Sequence, residues 1–461
     1  MSKLIGDPSM TESHPAERAT MPGSPDLPAR SSTYTTIVGS LGAFLDGYDL
    51  IIISGALLFL KPELHMSATT VGWVSSSAFA GMVVGALVFG RLTDRIGRNA
   101  AFAFVLALFI VGAVLSAFAT SPAMLIAGRV FVGLGIGADL PVSTTLIAEA
   151  APTRRRGSHT GLLQAFWFGG AAVSGPVGIG FYYAFGPSSW RWMLGSAGII
   201  AIIVMILRLR VPESRRWIAA KQQADMAGAE PRTIHHDRSR RRNWQVLASR
   251  PVLASLAFSC LFWFLVTVRG AGFNLYTPTF LKQVGLSGIT ESLWLSAAIN
   301  AVYAVVVLVV AARLDRLGRR QFILWNWALA TVLTFGLAAI NAGHVIPMFV
   351  MITVSALPTQ PLAMALFPLS VEPFPTLFRG TAQGLSSASG KLGGFLAALA
   401  FPSLLALLGW RDLSLALGGL MTLGLLAGVL IKIPDTHRES LEDLEAALTG
   451  ATAAYRSRTA R

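Results

Sequence analysis

Asp94-Arg95-Ile96-Gly97-Arg98 and Asp315-Arg316-Leu317-Gly318-Arg319 repeat one five-residue pattern at a spacing of 315 − 94 = 221 residues. Three more pairs keep nearly that spacing. Glu149 and Glu372 each lie seven residues before an Arg-Gly, Arg156-Gly157 and Arg379-Gly380, which gives 372 − 149 = 223. Trp190-Arg191 matches Trp410-Arg411 at 220, and Pro212-Glu213-Ser214 matches Pro434-Asp435-Thr436 at 222. Four matches within three residues of one offset imply a duplicated chain with its halves in parallel topology, and a binding site is then expected between them near mid-membrane.

The first copy of the motif follows the second of a series of apolar runs, near 33–60, 70–92, 100–119, 122–150, 159–185, 190–211, 252–283, 290–313, 321–340, 344–370, 380–408 and 411–433. A hydrocarbon core about 30 Å thick needs about 20 helical residues, and lipid tolerates only helices or closed barrels. These runs are too long for barrel strands, so they predict twelve transmembrane helices. The composition agrees: of 461 residues 53% are apolar and 13% charged, half the usual charged share of about a quarter. An ordinary soluble fold is thereby ruled out.

The excess of 37 Lys and Arg over 23 Asp and Glu would suggest nucleic acid in a soluble protein. Here the basic residues gather in every second loop, so they read as topology, and nucleic acid is excluded as a partner. By the positive-inside rule both termini and the central loop are expected in the cytoplasm. The organisation expected is a disordered cytoplasmic tail over 1–32, a six-helix bundle over 33–211, a basic cytoplasmic linker over 212–251, a second bundle over 252–433 and a cytoplasmic tail over 434–461. The chain holds one cysteine, Cys260, and no His cluster with metal spacing, so no disulfide, metal or catalytic site is expected. A phosphate-binding loop ending in Gly-Lys-Ser/Thr is also absent, which leaves an ion gradient as the energy source.

With Gly90-Arg91-Leu92-Thr93-Asp94-Arg95-Ile96-Gly97-Arg98 and its partner at Arg313–Arg320, the chain resembles the major facilitator superfamily over about residues 33–445. Gly47-Tyr48-Asp49, Pro212-Glu213-Ser214-Arg215-Arg216-Trp217, Glu372-Pro373-Phe374-Pro375 and Ser440-Leu441-Glu442-Asp443-Leu444 are similar to the sugar-porter and metabolite:proton symporter branch. That resemblance implies an all-α membrane protein with twelve helices in two pseudo-symmetric six-helix bundles. Gly135-Ile136-Gly137-Ala138-Asp139-Leu140-Pro141 and Ser389-Gly390-Lys391 resemble phosphate:proton symporters, but Thr267 stands where those have an Asp.

Charge inside the membrane costs about 2.5–3.5 kcal/mol per residue on insertion scales, so each such group is a functional candidate. Asp46 and Asp49, three apart, share a face of the first helix, where two close carboxylates can hold a proton. The sugar-porter resemblance implies that Asp49 pairs with Arg129 as the proton-coupling pair, and Asp139, about 15 Å deeper than Arg129, is a second proton-site candidate. Arg269 and Lys391 place two cations in the second half, which points to an anionic substrate, since a guanidinium clamps carboxylate or phosphate bidentately. Gln164, Asn274, Tyr276, Asn300 and Tyr303 are candidate hydrogen-bonding groups for it, and Trp73, Phe166, Trp167, Trp263 and Trp294 could stack on a ring. Gly90, Asp94, Arg95, Gly97, Arg98, Glu149, Arg156, Asp315, Arg319, Glu372 and Arg379 are expected to gate the cytoplasmic side by pairing and parting.

The expectation is a monomeric, proton-coupled importer of a small organic anion in a bacterial-type inner membrane, with the proton as coupling ion and no cofactor. Three rivals stay open. They are a neutral sugar, polyol or phosphate symporter; an exporter, since Gly175-Pro176 with Gly178 and Gly180 partly resembles an antiporter motif; and a non-transporting sensor on the same fold.

Overall fold

The structure is a computed structural model that describes residues 29–96, 98–150, 156–208, 250–283, 288–311, 319–340, 345–369 and 379–431. The described residues are almost entirely helical, in the order α1 (Ala29–Glu63), α2 (Ala68–Ile96), α3 (Arg98–Ala117), α4 (Pro122–Ala150), α5 (Arg156–Phe185), α6 (Ser189–Arg208), α7 (Arg250–Gln283), α8 (Ile289–Ala311), α9 (Arg319–Leu337), α10 (Val345–Ala356), α11 (Thr359–Leu369) and α12 (Arg379–Leu430). The predicted linker over 212–251, apart from residues 250–251, and both predicted tails, apart from residues 29–32 of the first, lie outside the described residues.

Twelve helices are not quite twelve spans. α12 has 52 residues, about 78 Å at 1.5 Å each, far more than one bilayer crossing. At Gly409, φ is 72° and ψ 178°, a conformation open to glycine, and the chain turns back there. Gly393 in the first arm abuts Phe264, and Gly424 in the second abuts Leu265, so the arms run antiparallel along the same part of α7. The arms form the eleventh and twelfth spans. The tenth, predicted as one run over 344–370, is instead α10 plus α11, broken at Leu357-Pro358. With these corrections the twelve predicted spans stand.

Residues 45–60 of α1 are all buried. A helix buried all round is enclosed by other helices, so its carboxylates do not meet lipid. α1 packs against α5 through glycines on each side: a Cβ at Gly47 would strike the carbonyl oxygen of Trp167, and one at Gly170 that of Phe44. Small residues let membrane helices close to backbone contact. Gly47→Ala is therefore expected to cost about 1–3 kcal/mol through overpacking, read as a lower thermal unfolding midpoint in detergent.

Away from the basic loops, backbone contacts close the two halves on each other. A Cβ on Gly175 of α5 would lie 2.7 Å from the Leu293 carbonyl oxygen of α8, and one on Gly72 of α2 would meet that of Leu399 in α12. The Gly175 stretch, which suggested an exporter, thus serves close packing between the halves. The repeated Trp-Arg pairs also have parallel uses, the indole of Trp190 donating to Glu63 at 2.6 Å and that of Trp410 to the Leu337 carbonyl at 2.9 Å.

Candidate functional site

A cavity of about 230 Å³ lies between the halves. It is smaller than the ~300–1,000 Å³ of drug-sized pockets, which suits a small metabolite. α1, α2, α4 and α5 form one wall; α7, α11 and α12 form the other. Asp46, Gln164 and Trp167 project from the first half, and Trp263, Asn274, Gln360 and Lys391 from the second, with Thr267 and Ser387 beside them. Asp46 and Lys391 set one negative and one positive group on opposite walls.

Of the predicted substrate groups, Gln164, Asn274 and Lys391 reach this cavity, and so does Asp46, predicted for the proton. Arg269, Tyr276, Asn300 and Tyr303 do not line it. Arg269 is 1% exposed and turns into the second half, where it donates to Thr334, Ser355 and Thr359. Tyr276 donates to the Ala398 carbonyl at 2.6 Å and stacks on Phe401. The Asn300 amide donates one turn back to the Ser296 carbonyl at 2.9 Å, and Tyr303 donates to the Thr353 carbonyl at 3.5 Å. Arg269, Tyr276 and Tyr303 thus bond to neighbouring helices, and Asn300 to its own. Among the predicted aromatic stackers, Trp167 and Trp263 are in place, whereas Trp73 and Trp294 face outward, 46% and 55% exposed.

Asp49 does meet Arg129. The guanidinium Nη1 lies 2.9 Å from Oδ1 and 2.8 Å from Oδ2, and both side chains are 1% exposed. The pair is poorly satisfied: among the described residues Oδ2, Nε and Nη2 have no hydrogen-bond partner. Buried charges held by so few bonds are costly, so each member of the pair depends on the other to stay charged. Asp46 and Asp49 part company here, one facing the cavity and the other Arg129.

Asp139 sits in a different setting. Arg208, at the end of α6, donates to its Oδ1 at 2.6 Å, and Ser143 donates to its Oδ2 at 3.2 Å. Arg208 also donates to the Ser143 hydroxyl at 3.0 Å and to the Gly39 carbonyl of α1 at 3.1 Å. A Cβ at Gly42 would collide with both Asp139 and Arg208, so glycine makes room for the pair. Predicted as a proton site, Asp139 does not itself line the cavity; with Arg208 it ties α1, α4 and α6 together, close enough to Asp46 on the cavity wall for the two carboxylates to interact. Arg208 was missed in the sequence because it closes an apolar run and resembled a boundary charge. Gln360 was missed as well, although its place in Pro358-Thr359-Gln360-Pro361, a proline-flanked polar pair inside a membrane run, was a usable signal.

The predicted gating residues Gly90, Asp94, Arg95, Gly97, Arg98, Glu149, Arg156, Asp315, Arg319, Glu372 and Arg379 lie outside the described residues, or at helix ends whose side chains do.

A largely apolar cavity with a few polar side chains, set between two bundles of membrane-spanning helices, is the arrangement of a multi-pass membrane transporter of small solutes. The chain belongs to the family described as sugar (and other) transporters, matched over residues 35–448. The inner membrane metabolite transport protein YgcS of Escherichia coli is 28% identical over 409 residues, covering 87% of this chain and 91% of that one. The glucose transporter GlcP of Staphylococcus epidermidis is 29% identical over 447 residues, covering 91% and 97%. The solved proton:xylose symporter XylE of E. coli, bound to 6-bromo-6-deoxy-D-glucose, superposes with a TM-score of 0.74 over 91% of this chain and 99% of its own, at 21% identity. That likeness establishes the major facilitator fold.

Proposed function

We propose that this protein is a proton-coupled symporter that imports a small, uncharged, polyhydroxylated solute, a sugar or polyol, by alternating access. The observation that carries the reading is the convergence of three amide side chains, Gln164, Asn274 and Gln360, on one cavity flanked by the indoles of Trp167 and Trp263. A sugar hydroxyl both donates and accepts hydrogen bonds, and each amide offers both in return. The aromatic faces suit the apolar face of a sugar ring. The anionic reading needed two cations at the substrate. Arg269 is withdrawn from the cavity, and the charge of Lys391 is opposed by Asp46. Relatives named for glucose and for proton:xylose symport point the same way.

In this reading Asp49 carries the proton. Its charge attracts Arg129, so protonation frees the guanidinium and shifts the balance between outward- and inward-facing states. The repeated acidic and basic residues near 94, 149, 315 and 372 gate the basic end, which faces the cytoplasm together with both termini in an inner membrane. The protein works as a monomer.

The test is acid-driven uptake in proteoliposomes of labelled D-glucose, D-xylose and myo-inositol, with malate, gluconate and phosphate as competitors. Uptake of at least one neutral solute, unaffected by the anions, is expected. Accumulation of the anions with none of the neutral solutes would overturn the proposal. Gln164→Ala is expected to raise KM for the transported solute about tenfold, the effect of leaving its hydroxyl partner unsatisfied at roughly 1–3 kcal/mol.

A further inference from the structure

The break in the tenth span has a local cause. Proline has no N–H and clashes with the carbonyl four residues back, and it disfavours helical geometry in the residue before it. Pro358 thus removes the donor due to Val354, and the Leu357 N–H bonds to the Val354 carbonyl at 3.2 Å instead. That bond in turn takes from Thr353 the donor it would have had. α10 therefore ends in the middle of the protein with freed carbonyls and the negative end of its dipole.

Two residues expected at the substrate attend to this end. Tyr303 donates to the Thr353 carbonyl. Arg269 donates through Nη2 to Ser355 at 2.8 Å, through Nη1 to Thr359 at 3.4 Å and through Nε to Thr334 at 3.1 Å. Those three hydroxyls donate onward to the carbonyls of Ile352, Ala356 and Ala330, so each presents a lone pair to the guanidinium. Ser355 lies before the break and Thr359 after it. One buried cation therefore spans the gap, and the helix end supplies part of the negative charge that its burial demands.

The residue after Thr359 is Gln360, whose side chain lines the cavity. On α7, Thr267, Gly270 and Asn274 face the same cavity, while Arg269 points off the other side of the helix. We propose that Arg269 is a positioning residue for substrate binding: it bridges the break between α10 and α11 and so holds Gln360 against the solute. The role of Gln360 rests on the sugar or polyol reading above; the brace itself does not.

The experiment has two arms. In the full chain carrying Cys260→Ser, the thiol of Gln360→Cys is reacted with a small maleimide, without substrate. Adding Arg269→Ala is expected to slow that reaction about fivefold or more, the scale of one lost hydrogen bond, while labelling at Ser387→Cys stays within about twofold. Arg269→Lys, which keeps the charge but fewer donors, is expected to fall between. An unchanged or faster rate at position 360 overturns the proposal. Should Arg269→Ala fail to reach the membrane, Thr359→Val, which removes only the acceptor beyond the break, is held to the same comparison at about twofold.

The second arm measures uptake of D-glucose, D-xylose or myo-inositol. Arg269→Ala and Gln360→Ala are each expected to raise KM about fivefold with kcat little changed, and the double variant to be no worse than either single one. Additive effects on KM overturn the proposal. If none of the three solutes is transported, the sugar or polyol reading fails and the labelling arm still decides the role of Arg269.

Discussion

Asp49→Asn is expected to abolish acid-driven accumulation while leaving exchange of labelled solute between the two sides of the membrane. Two pH units of driving force sustain a concentration ratio of up to about 100 in one-to-one symport, since each unit is worth about 1.4 kcal/mol. The variant should bring that ratio to about 1. Asparagine keeps the size and hydrogen-bonding capacity of the side chain but holds Arg129 by no charge and takes up no proton. The protein then behaves as though permanently protonated, able to change state with or without a gradient. Arg129→Ala is a different lesion, because it strands a carboxylate that is 1% exposed, and breaking such a pair costs about 3–5 kcal/mol. Concentrative uptake that persists in Asp49→Asn would place the proton elsewhere, with Asp46 the next group to test because its carboxylate faces the cavity.

The second large effect concerns stability. Arg208→Ala is expected to destabilise the first half by about 3–5 kcal/mol, since it leaves Asp139 buried and unpaired. It also removes the bonds that tie α6 to α1 and α4. Asp139→Asn alone is expected to cost a similar amount, whereas Arg208→Met with Asp139→Asn should recover much of the loss, because removing both charges spares both desolvation penalties. Unfolding in detergent, followed by tryptophan fluorescence, measures all three. An Asp139→Asn variant that unfolds like the parent yet no longer couples uptake to pH would return Asp139 to the proton pathway and end its assignment as a staple.

Both results bear on how far the site could be read from residues alone. The Asp49–Arg129 contact was legible because the spacing of Gly47-Tyr48-Asp49 and the place of Arg129 in the fourth span resemble a known pairing. Gln164, Asn274 and Lys391 were legible as polar groups deep in apolar runs. Arg269 satisfied the same criterion and was misplaced. Successive residues on a helix differ by about 100° in direction, so Gly270 lines the cavity while Arg269 beside it reaches the end of α10. Depth along a span can be counted; direction around it cannot when the helix is apolar on all sides and no polar face marks the interior. Tyr276, Asn300 and Tyr303 were misplaced for the same reason.

The count of spans, their alternation, the duplication and the transporter class followed from the sequence by itself, because bilayer thickness and backbone hydrogen bonding act along the chain one segment at a time. Gly409 and Pro358 were present in that record, but the reversal at one and the bracing of the other appear only once the helices are packed. Tertiary structure alone decided which buried charges face each other, which face the cavity and which hold helices together. Those outcomes depend on contacts between residues up to 90 positions apart around Arg269 and 80 apart at Asp49–Arg129, and on helix rotations that no local pattern encodes.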